Sequence, residues 1–228
     1  MSVFVVVPSY NEAENIVRLV TELRRAQAEV NLILVDDGSP DGTASLARDL
    51  SEGDIEVIER EGKQGLASAY TVGFQRALER GAQRIIQMDA DLSHDPKDVP
   101  RLVAGGGDLV LGSRYVAGGG TRNWPLQRRA LSRFGSLWSR VWLGLPHRDL
   151  TGGFKAWTRS ALEEALSRPV SSEGYAFQVE MTWRVHCAGY SIEEVPIVFT
   201  EREDGVSKMS RGIALEAAWL VPSLRFRE

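Results

Sequence analysis

The sequence has one cysteine and three histidines, and no unbroken apolar run near the eighteen or so residues that a bilayer-spanning helix requires. Each shortage excludes something. Cys187 has no partner in the chain, so no disulfide scaffold exists; it lies in Met181–Tyr190, which reads as a buried helix followed by a turn and fits a reducing cytoplasm. The apolar run Val3–Val7 has no basic leader and is interrupted at Pro8, so no secretion signal is expected. The stretch Ile213–Leu224 is short and carries Glu216 and Pro222, so no membrane crossing is expected. His94, His147 and His186 do not form a ligand cluster, and His94 reads as loop structure near the polar loops. No Gly-x-Gly-x-x-Gly follows the first apolar run, which argues against a dinucleotide cofactor. Internal repeats and low-complexity tracts are lacking too.

Positive charge is also in deficit. Lys plus Arg number 27 against 31 Asp plus Glu, a formal net charge of −4, so attraction of the whole molecule to nucleic acid is not expected. What is present is core: 43% of 228 residues are apolar, enough for one domain of ordinary size. The chain reads as a single domain over 1–228, with a ligand-binding half at 1–115 and a second half at 116–228.

Short β-branched runs at Val3–Val7, Leu32–Val35, Ile55–Ile58, Arg84–Met88 and Leu109–Leu111 alternate with helical patterns at Glu12–Arg25, Thr43–Leu50, Leu66–Arg80 and Asp98–Val103. Continuous apolar strands predict a mostly parallel, doubly wound α/β sheet covered on both faces. A final strand is expected at Ile192–Phe199. Ligands belong at the carboxyl ends of such strands, and the polar clusters sit there: Pro8–Glu12, Asp36–Gly42 and Asp89-Ala90-Asp91.

Two aspartates separated by one residue place like charges at one point of a loop, and a divalent cation relieves the repulsion. Oxygen ligands with few protein contacts suit Mg²⁺ or Mn²⁺ carried with a diphosphate. Capping of the next helix is the plainer reading of the same residues. Asp37 offers an acceptor to ribose or base, while Asp41 suits a helix cap.

From Arg114 to Arg148 there are seven arginines and no acidic residue, interleaved with Trp124, Phe134, Trp138 and Trp142. Leu131, Phe134, Trp138 and Trp142 recur at helical spacing and predict an amphipathic helix flanked by arginines. Such a helix packs on the sheet or lies in a lipid headgroup layer; basic-aromatic segments also serve single-stranded nucleic acid, which the metal-diphosphate loops disfavour.

Taken together, Pro8-Ser9-Tyr10-Asn11-Glu12, Asp36-Asp37-Gly38-Ser39-Pro40-Asp41-Gly42, Gly62-Lys63-x-Gly65-Leu66, Met88-Asp89-Ala90-Asp91-Leu92-Ser93-His94 and Gly112-Ser113-Arg114-Tyr115 resemble a family 2 glycosyltransferase of the GT-A fold. Asp149-Leu150-Thr151-Gly152-Gly153-Phe154, Gly174-Tyr175-x-Phe177-Gln178-x-Glu180-Met181, and Glu201-Arg202 followed by Ser207-Lys208 narrow the resemblance to the dolichol- and polyprenol-phosphate mannose synthases. The match runs nearly the whole chain in order.

The resemblance implies a donor nucleotide against Pro8, Tyr10, Glu12, Val35 and Asp37. It implies a metal-bound diphosphate at Asp89, Ala90 and Asp91, with Ser93 as a shorter third candidate ligand, and a mobile cationic pair, Arg202 and Lys208, closing on the phosphates. Lys63 could serve similarly. Arg114 and Arg128 resemble the arginines that hold the acceptor phosphate. Glu180 stands between contact with sugar hydroxyls and a core or capping role. The implied reaction is inverting transfer of mannose from GDP-mannose to a polyprenyl or dolichyl monophosphate, on the cytoplasmic face of a membrane that the protein binds peripherally, with a separate membrane protein as a possible anchor. Three alternatives stay open: transfer of glucose from UDP-glucose to the same acceptor, a silent nucleotide-sugar-binding subunit of a membrane complex, and nucleotidyl transfer, which would want a glycine-rich basic loop where Ser9–Glu12 stands.

Overall fold

In the computed structural model, residues 1–27, 29–201 and 219–225 are described. The apolar runs form β1 (Val3–Ser9), β2 (Val30–Asp36), β3 (Ile55–Glu59), β4 (Arg84–Gln87) and β5 (Leu109–Ser113). Between them lie α1 (Ala13–Ala26), α2 (Thr43–Asp49), α3 (Leu66–Glu79), a 3₁₀ turn at Pro96–Asp98 and α4 (Val99–Ala104). Successive strand side chains face opposite sides of a sheet. Val3, Val5 and Val7 therefore join one core layer with Ile16 and Leu19 of α1, while Phe4 and Val6 join the other with Tyr70 and Phe74 of α3. Burial on both sides is why the runs are continuous rather than alternating. Helix α3 lies close on this sheet because Gly73 has no side chain; a Cβ there would stand 2.3 Å from a Val6 methyl.

The second half adds β6 (Gly120–Arg122), α5 (Leu126–Leu143), β7 (Lys155–Thr158), α6 (Arg159–Ala165), α7 (Gly174–Cys187), β8 (Ile192–Pro196) and β9 (Val198–Thr200). The seven-stranded sheet has the order β3-β2-β1-β4-β7-β5-β8, so both halves build one sheet. All neighbours run parallel except β7, which is antiparallel to β4 and β5. A four-residue strand opened by Lys155 carries no apolar run, and the sequence pattern does not predict it.

The segment expected as one strand, Ile192–Phe199, is two. Strand β8 pairs with β5 and ends at Pro196, which has no N–H to continue a ladder; β9 then pairs with β6 in a separate two-stranded sheet. Cys187 also differs from expectation: helix α7 is largely buried, but its last residue is exposed. Among the described residues no helix is long and apolar enough to cross a membrane. The strand order reverses between β1 and β4, and their carboxyl ends frame a crevice.

Candidate active site

A cavity of about 460 Å³ opens at that crevice. Pro8, Tyr10 and Glu12 reach it from the loop after β1, Asp37 from the end of β2, and Asp89, Ala90 and Asp91 from the loop after β4. Arg114 and Arg128 line it from the other side. The polar clusters that the sequence scatters over more than a hundred positions thus meet in one space. Arg202 and Lys208 lie outside the described residues.

At the loop after β1, Lys63 Nζ stands 3.6 Å from the Tyr10 ring centroid, a cation over an aromatic face. Asp37 accepts from Arg60 Nε at 2.7 Å, and Arg60 also donates to Ser68 Oγ and the Gly65 carbonyl. Sequence reasoning missed Arg60, because nothing local marks a pairing between residues so far apart in the chain. Asp36 serves another purpose. Buried, it accepts from the hydroxyls of Ser9 and Ser39 at 2.8 and 2.6 Å and ties two loops together. Asp41 accepts from the N–H groups of Ala13 and Thr43, the first residues of α1 and α2, although it stands one place before Gly42, the N-cap of α2. Val35 is corrected: its side chain is fully buried in the core beside α3 and does not line the cavity, since alternation turns it away from the crevice.

At the loop after β4, Asp89 Oδ1 accepts from the Tyr70 hydroxyl at 2.9 Å. Burial, reinforced by Asp89, holds Tyr70 neutral far above the usual phenol range. The Asp89 N–H donates to His94 Nδ1 at 3.3 Å, which puts the imidazole proton on Nε2. Burial pushes the His94 pKa down, so its 3.7 Å approach to Asp89 Oδ2 is not an ion pair; the ring braces the turn while stacked on Phe154. Leu92 sits at φ +58°, a costly conformation for a branched side chain, immediately after Asp91. Asp91 Oδ1 accepts from the Ser93 N–H at 3.0 Å.

Ser93 is buried, its carbonyl accepts from Thr200, and it is not among the residues lining the cavity. Among the described residues no three acidic, histidine or cysteine side chains converge on one point. Two carboxylates facing a cavity fit a hard cation that takes its remaining oxygens from a diphosphate and water, as Mg²⁺ and Mn²⁺ do.

On the opposite wall Arg114 is buried. Its Nε and one terminal nitrogen donate to Asp149 at 2.7 Å each, and the same nitrogen reaches Thr151. Burial works against the charge, but Asp149 overcomes it and keeps the guanidinium protonated. The bidentate face expected to grip a phosphate is therefore taken within the protein, and Arg114 offers the cavity a fixed positive charge. Arg128, in the first turn of α5, pairs with Glu201 and lies 4.3 Å over Trp124. Glu180 lines no part of the cavity; it accepts from Ser171, Ser172 and Arg184 inside the protein, which is the core role. Glu173, Tyr175, Gln178 and Gly153 also line it; the last three belong to motifs that carry the resemblance, but the sequence assigns none of the four an individual role.

Fold and site define a nucleotide-sugar enzyme. The chain matches glycosyl transferase family 2 over residues 4–166 and belongs to that family; it is a glycosyltransferase of the GT-A fold. It is 46% identical over 223 residues to polyprenol monophosphomannose synthase of Mycolicibacterium smegmatis, covering 95% of this chain and 84% of the relative. It is 44% identical over 221 residues to undecaprenyl-phosphate mannosyltransferase of Micrococcus luteus, covering 95% and 91%. Among solved structures, glucosyl-3-phosphoglycerate synthase of Mycobacterium tuberculosis with Mn²⁺, UDP and glucosyl-3-phosphoglycerate superposes with a TM-score of 0.67 at 18% identity, covering 98% of this chain and 79% of that one. Staphylococcus aureus TarS with UDP-GlcNAc gives 0.67 at 18% identity, covering 100% and 67%.

Proposed function

We propose that this enzyme transfers mannose from GDP-mannose to a polyprenyl, dolichyl-type monophosphate, with inversion at the anomeric carbon, releasing GDP. The observation that carries the reading is one cavity with a carboxylate wall, Asp37, Asp89 and Asp91, facing a cationic wall, Arg114 and Arg128, at the root of a helix whose outer side is apolar. A sugar nucleotide suits the first wall and a lipid phosphate the second. Relatives sharing 46% and 44% of their residues with this chain carry names that describe such a transfer.

The acceptor supplies its own nucleophile. A phosphate monoester has a second pKa of about 6, so its oxygen is anionic at neutral pH and needs no general base. That oxygen forms a bond to the anomeric carbon, the bond from that carbon to the diphosphate breaks, and GDP leaves with the electron pair. Arg114, fixed by Asp149, and Arg128 offset the repulsion between acceptor phosphate and donor diphosphate and hold them at attack distance. Tyr10, Glu12, Asp37 and Lys63 hold the nucleotide, and Arg202 and Lys208 complete the grip on its phosphates. Mg²⁺ or Mn²⁺ at Asp89 and Asp91, when bound, supplies charge neutralisation to the leaving diphosphate.

Helix α5 brings the protein to its lipid. Leu126, Phe134, Leu137 and Val141 are exposed, with Arg129, Arg133 and Arg140 on the same helix, the composition of a segment lying in an anionic headgroup layer. On this reading the enzyme is peripheral on the cytoplasmic face of a membrane.

The test is transfer of labelled sugar from GDP-mannose, UDP-glucose and UDP-N-acetylglucosamine to a polyprenyl phosphate in detergent, with Mg²⁺, Mn²⁺ or chelator. Mannosyl lipid from GDP-mannose, lost with chelator and reduced at least about a hundredfold by Asp91→Ala in a protein that still unfolds cooperatively, is the expected result. Glucosyl lipid from UDP-glucose overturns the donor. Full turnover by Asp91→Ala overturns the metal assignment, and no product with any donor overturns the enzyme reading in favour of a binding subunit.

A further inference from the structure

Two buried polar pairs stand behind the cavity wall, Tyr70 with Asp89 and Gln87 with Gln178. A carboxylate only accepts, so the Tyr70 hydroxyl at 2.9 Å donates to it. The Gln87 amide nitrogen donates to Gln178 Oε1 at 2.7 Å. The acceptor end of Gln178 is thereby engaged. Its Nε2, a donor, is the end left for the cavity that Gln178 lines.

That nitrogen and the Asp89 carboxylate both approach the space over Gly153. A methyl group on Gly153 would lie 3.6 Å from Gln178 Nε2 and 3.7 Å from each Asp89 carboxylate oxygen, its nearest neighbours. A substituent over Gly153 is thus within reach of a fixed donor and a fixed acceptor at once. A hydroxyl fits this pair, accepting from Nε2 while donating to Asp89. An amine lacks the acceptor and a methyl lacks both functions.

We propose that Gln178 is a specificity-determining residue that reads one hydroxyl of the donor sugar, with Gly153 as the floor of that subsite and Gln87 as its positioning residue. The proposal rests on the donor-site reading above and adds to it the group that selects the sugar. A sugar without that hydroxyl leaves the buried amide N–H unpaired, which is how hydrogen-bonding sites reject close analogues.

The experiment measures kcat/KM with GDP-mannose and its 2-, 3-, 4- and 6-deoxy forms, and the inhibition constant of GDP, for the wild type, Gln178→Met, Gln178→Asn, Gly153→Ala and Gln87→Met. In the wild type one deoxy donor is expected to lose about 10- to 100-fold. Gln178→Met loses a similar factor on GDP-mannose itself and discriminates against that deoxy donor no further; Gln178→Asn, too short to reach that space, repeats the result should Met disturb the fold. Gly153→Ala puts a methyl where the oxygen sat, so it rejects GDP-mannose yet retains the deoxy donor. That substitution is free of backbone strain, since Gly153 is outside the left-handed region. Gln87→Met weakens the discrimination while the GDP inhibition constant stays at its wild-type value.

Equal losses on every donor, or discrimination retained in Gln178→Met, overturn the proposal. The series is run in parallel on UDP-glucose and its deoxy forms. Turnover of uridine donors only overturns the GDP-mannose assignment while the same comparison decides Gln178; no turnover of any nucleotide sugar by the wild type overturns both.

Discussion

Helices α5 and α7 are both rich in aromatic residues, and they solve opposite problems. In α7 every residue from Ala176 to Thr182 is buried, polar ones included, and each polar group has an internal partner: Gln178 with Gln87, Glu180 with Arg184, Thr182 with Lys155. In α5 the buried positions are Ser132, Ser136, Ser139 and Leu143, while Phe134 is 60% exposed and Val141 68%. The inward seam of α5 is hydroxylic: Ser132 accepts from Tyr115, and Ser136 meets Thr151. A helix packed only to complete a core would be turned the other way. Thus α7 has its polar groups satisfied from within the protein, and α5 leaves an apolar face exposed.

The most severe way to break this contrast is to remove an internal partner from α7. Glu180→Ala deletes a buried carboxylate and leaves Ser171, Ser172 and the Arg184 pairing unmatched. It should cost about 3–5 kcal/mol in urea unfolding, with the cavity residues untouched. A change within a few tenths of a kcal/mol would mean that α7 is not held from inside.

The converse change belongs on α5. Phe134→Glu with Val141→Glu places charge on exposed apolar positions and should leave thermal unfolding within about a degree of the wild type, as surface substitutions do. Partition onto anionic vesicles, read by flotation, should fall by about a hundredfold, as expected from losing about 1.5 kcal/mol or more of burial at each site. Unfolding of the double variant, or unchanged partition, would show that this face is covered by protein.

How much of the fold and site is legible in the sequence depends on whether the signal is local. Val3–Val7 and Leu32–Val35 announce a doubly covered sheet because burial on both faces leaves no polar residue in the run, and Asp89-Ala90-Asp91 announces its loop because two acids at a strand end need a reason. Strand β7 is illegible: it owes its place to β4 and β5 on either side, not to its own four residues. Val35 is misassigned because a sequence names the end of a strand without saying which way its last side chains alternate. Arg114 is recognisable as a cation at the site, but only the fold brings Asp149 to its fork. The apolar stripe of α5 is legible as a stripe; that serines form the buried seam, with Trp138 packed on the core and Phe134 exposed, is a tertiary fact.

A pH series sharpens the α7 side. Lys155 Nζ is fully buried, donates to the Gln178 carbonyl and Thr182 Oγ1, and burial lowers its pKa to about 7 despite Asp149. Because the folded pKa lies below the unfolded value near 10.5, the unfolded chain holds the extra proton between those limits, so stability rises with pH there. From pH 7 to 9 the rise from this group is about 2 kcal/mol. Lys155→Met should remove it, so that wild type and variant converge toward pH 9 and the variant is the more stable at pH 6. Parallel curves across that range would show that Lys155 keeps an ordinary pKa.

The smallest expected effect lies where the two regions meet. Arg128 starts α5 yet faces the cavity, pairs with Glu201 and stacks on Trp124. If it holds the acceptor phosphate, Arg128→Ala should raise the KM for polyprenyl phosphate by about tenfold, one charge-assisted contact, and leave the KM for the sugar nucleotide unchanged. Arg128→Lys should recover only part of the loss, because a point charge replaces a planar fork. Vesicle partition should stay at the wild-type value, since Arg128 belongs to the cavity and not to the outer face. A loss confined to the sugar-nucleotide KM would move Arg128 to the donor side and leave Arg114, already paired with Asp149, as the remaining described cation for the acceptor.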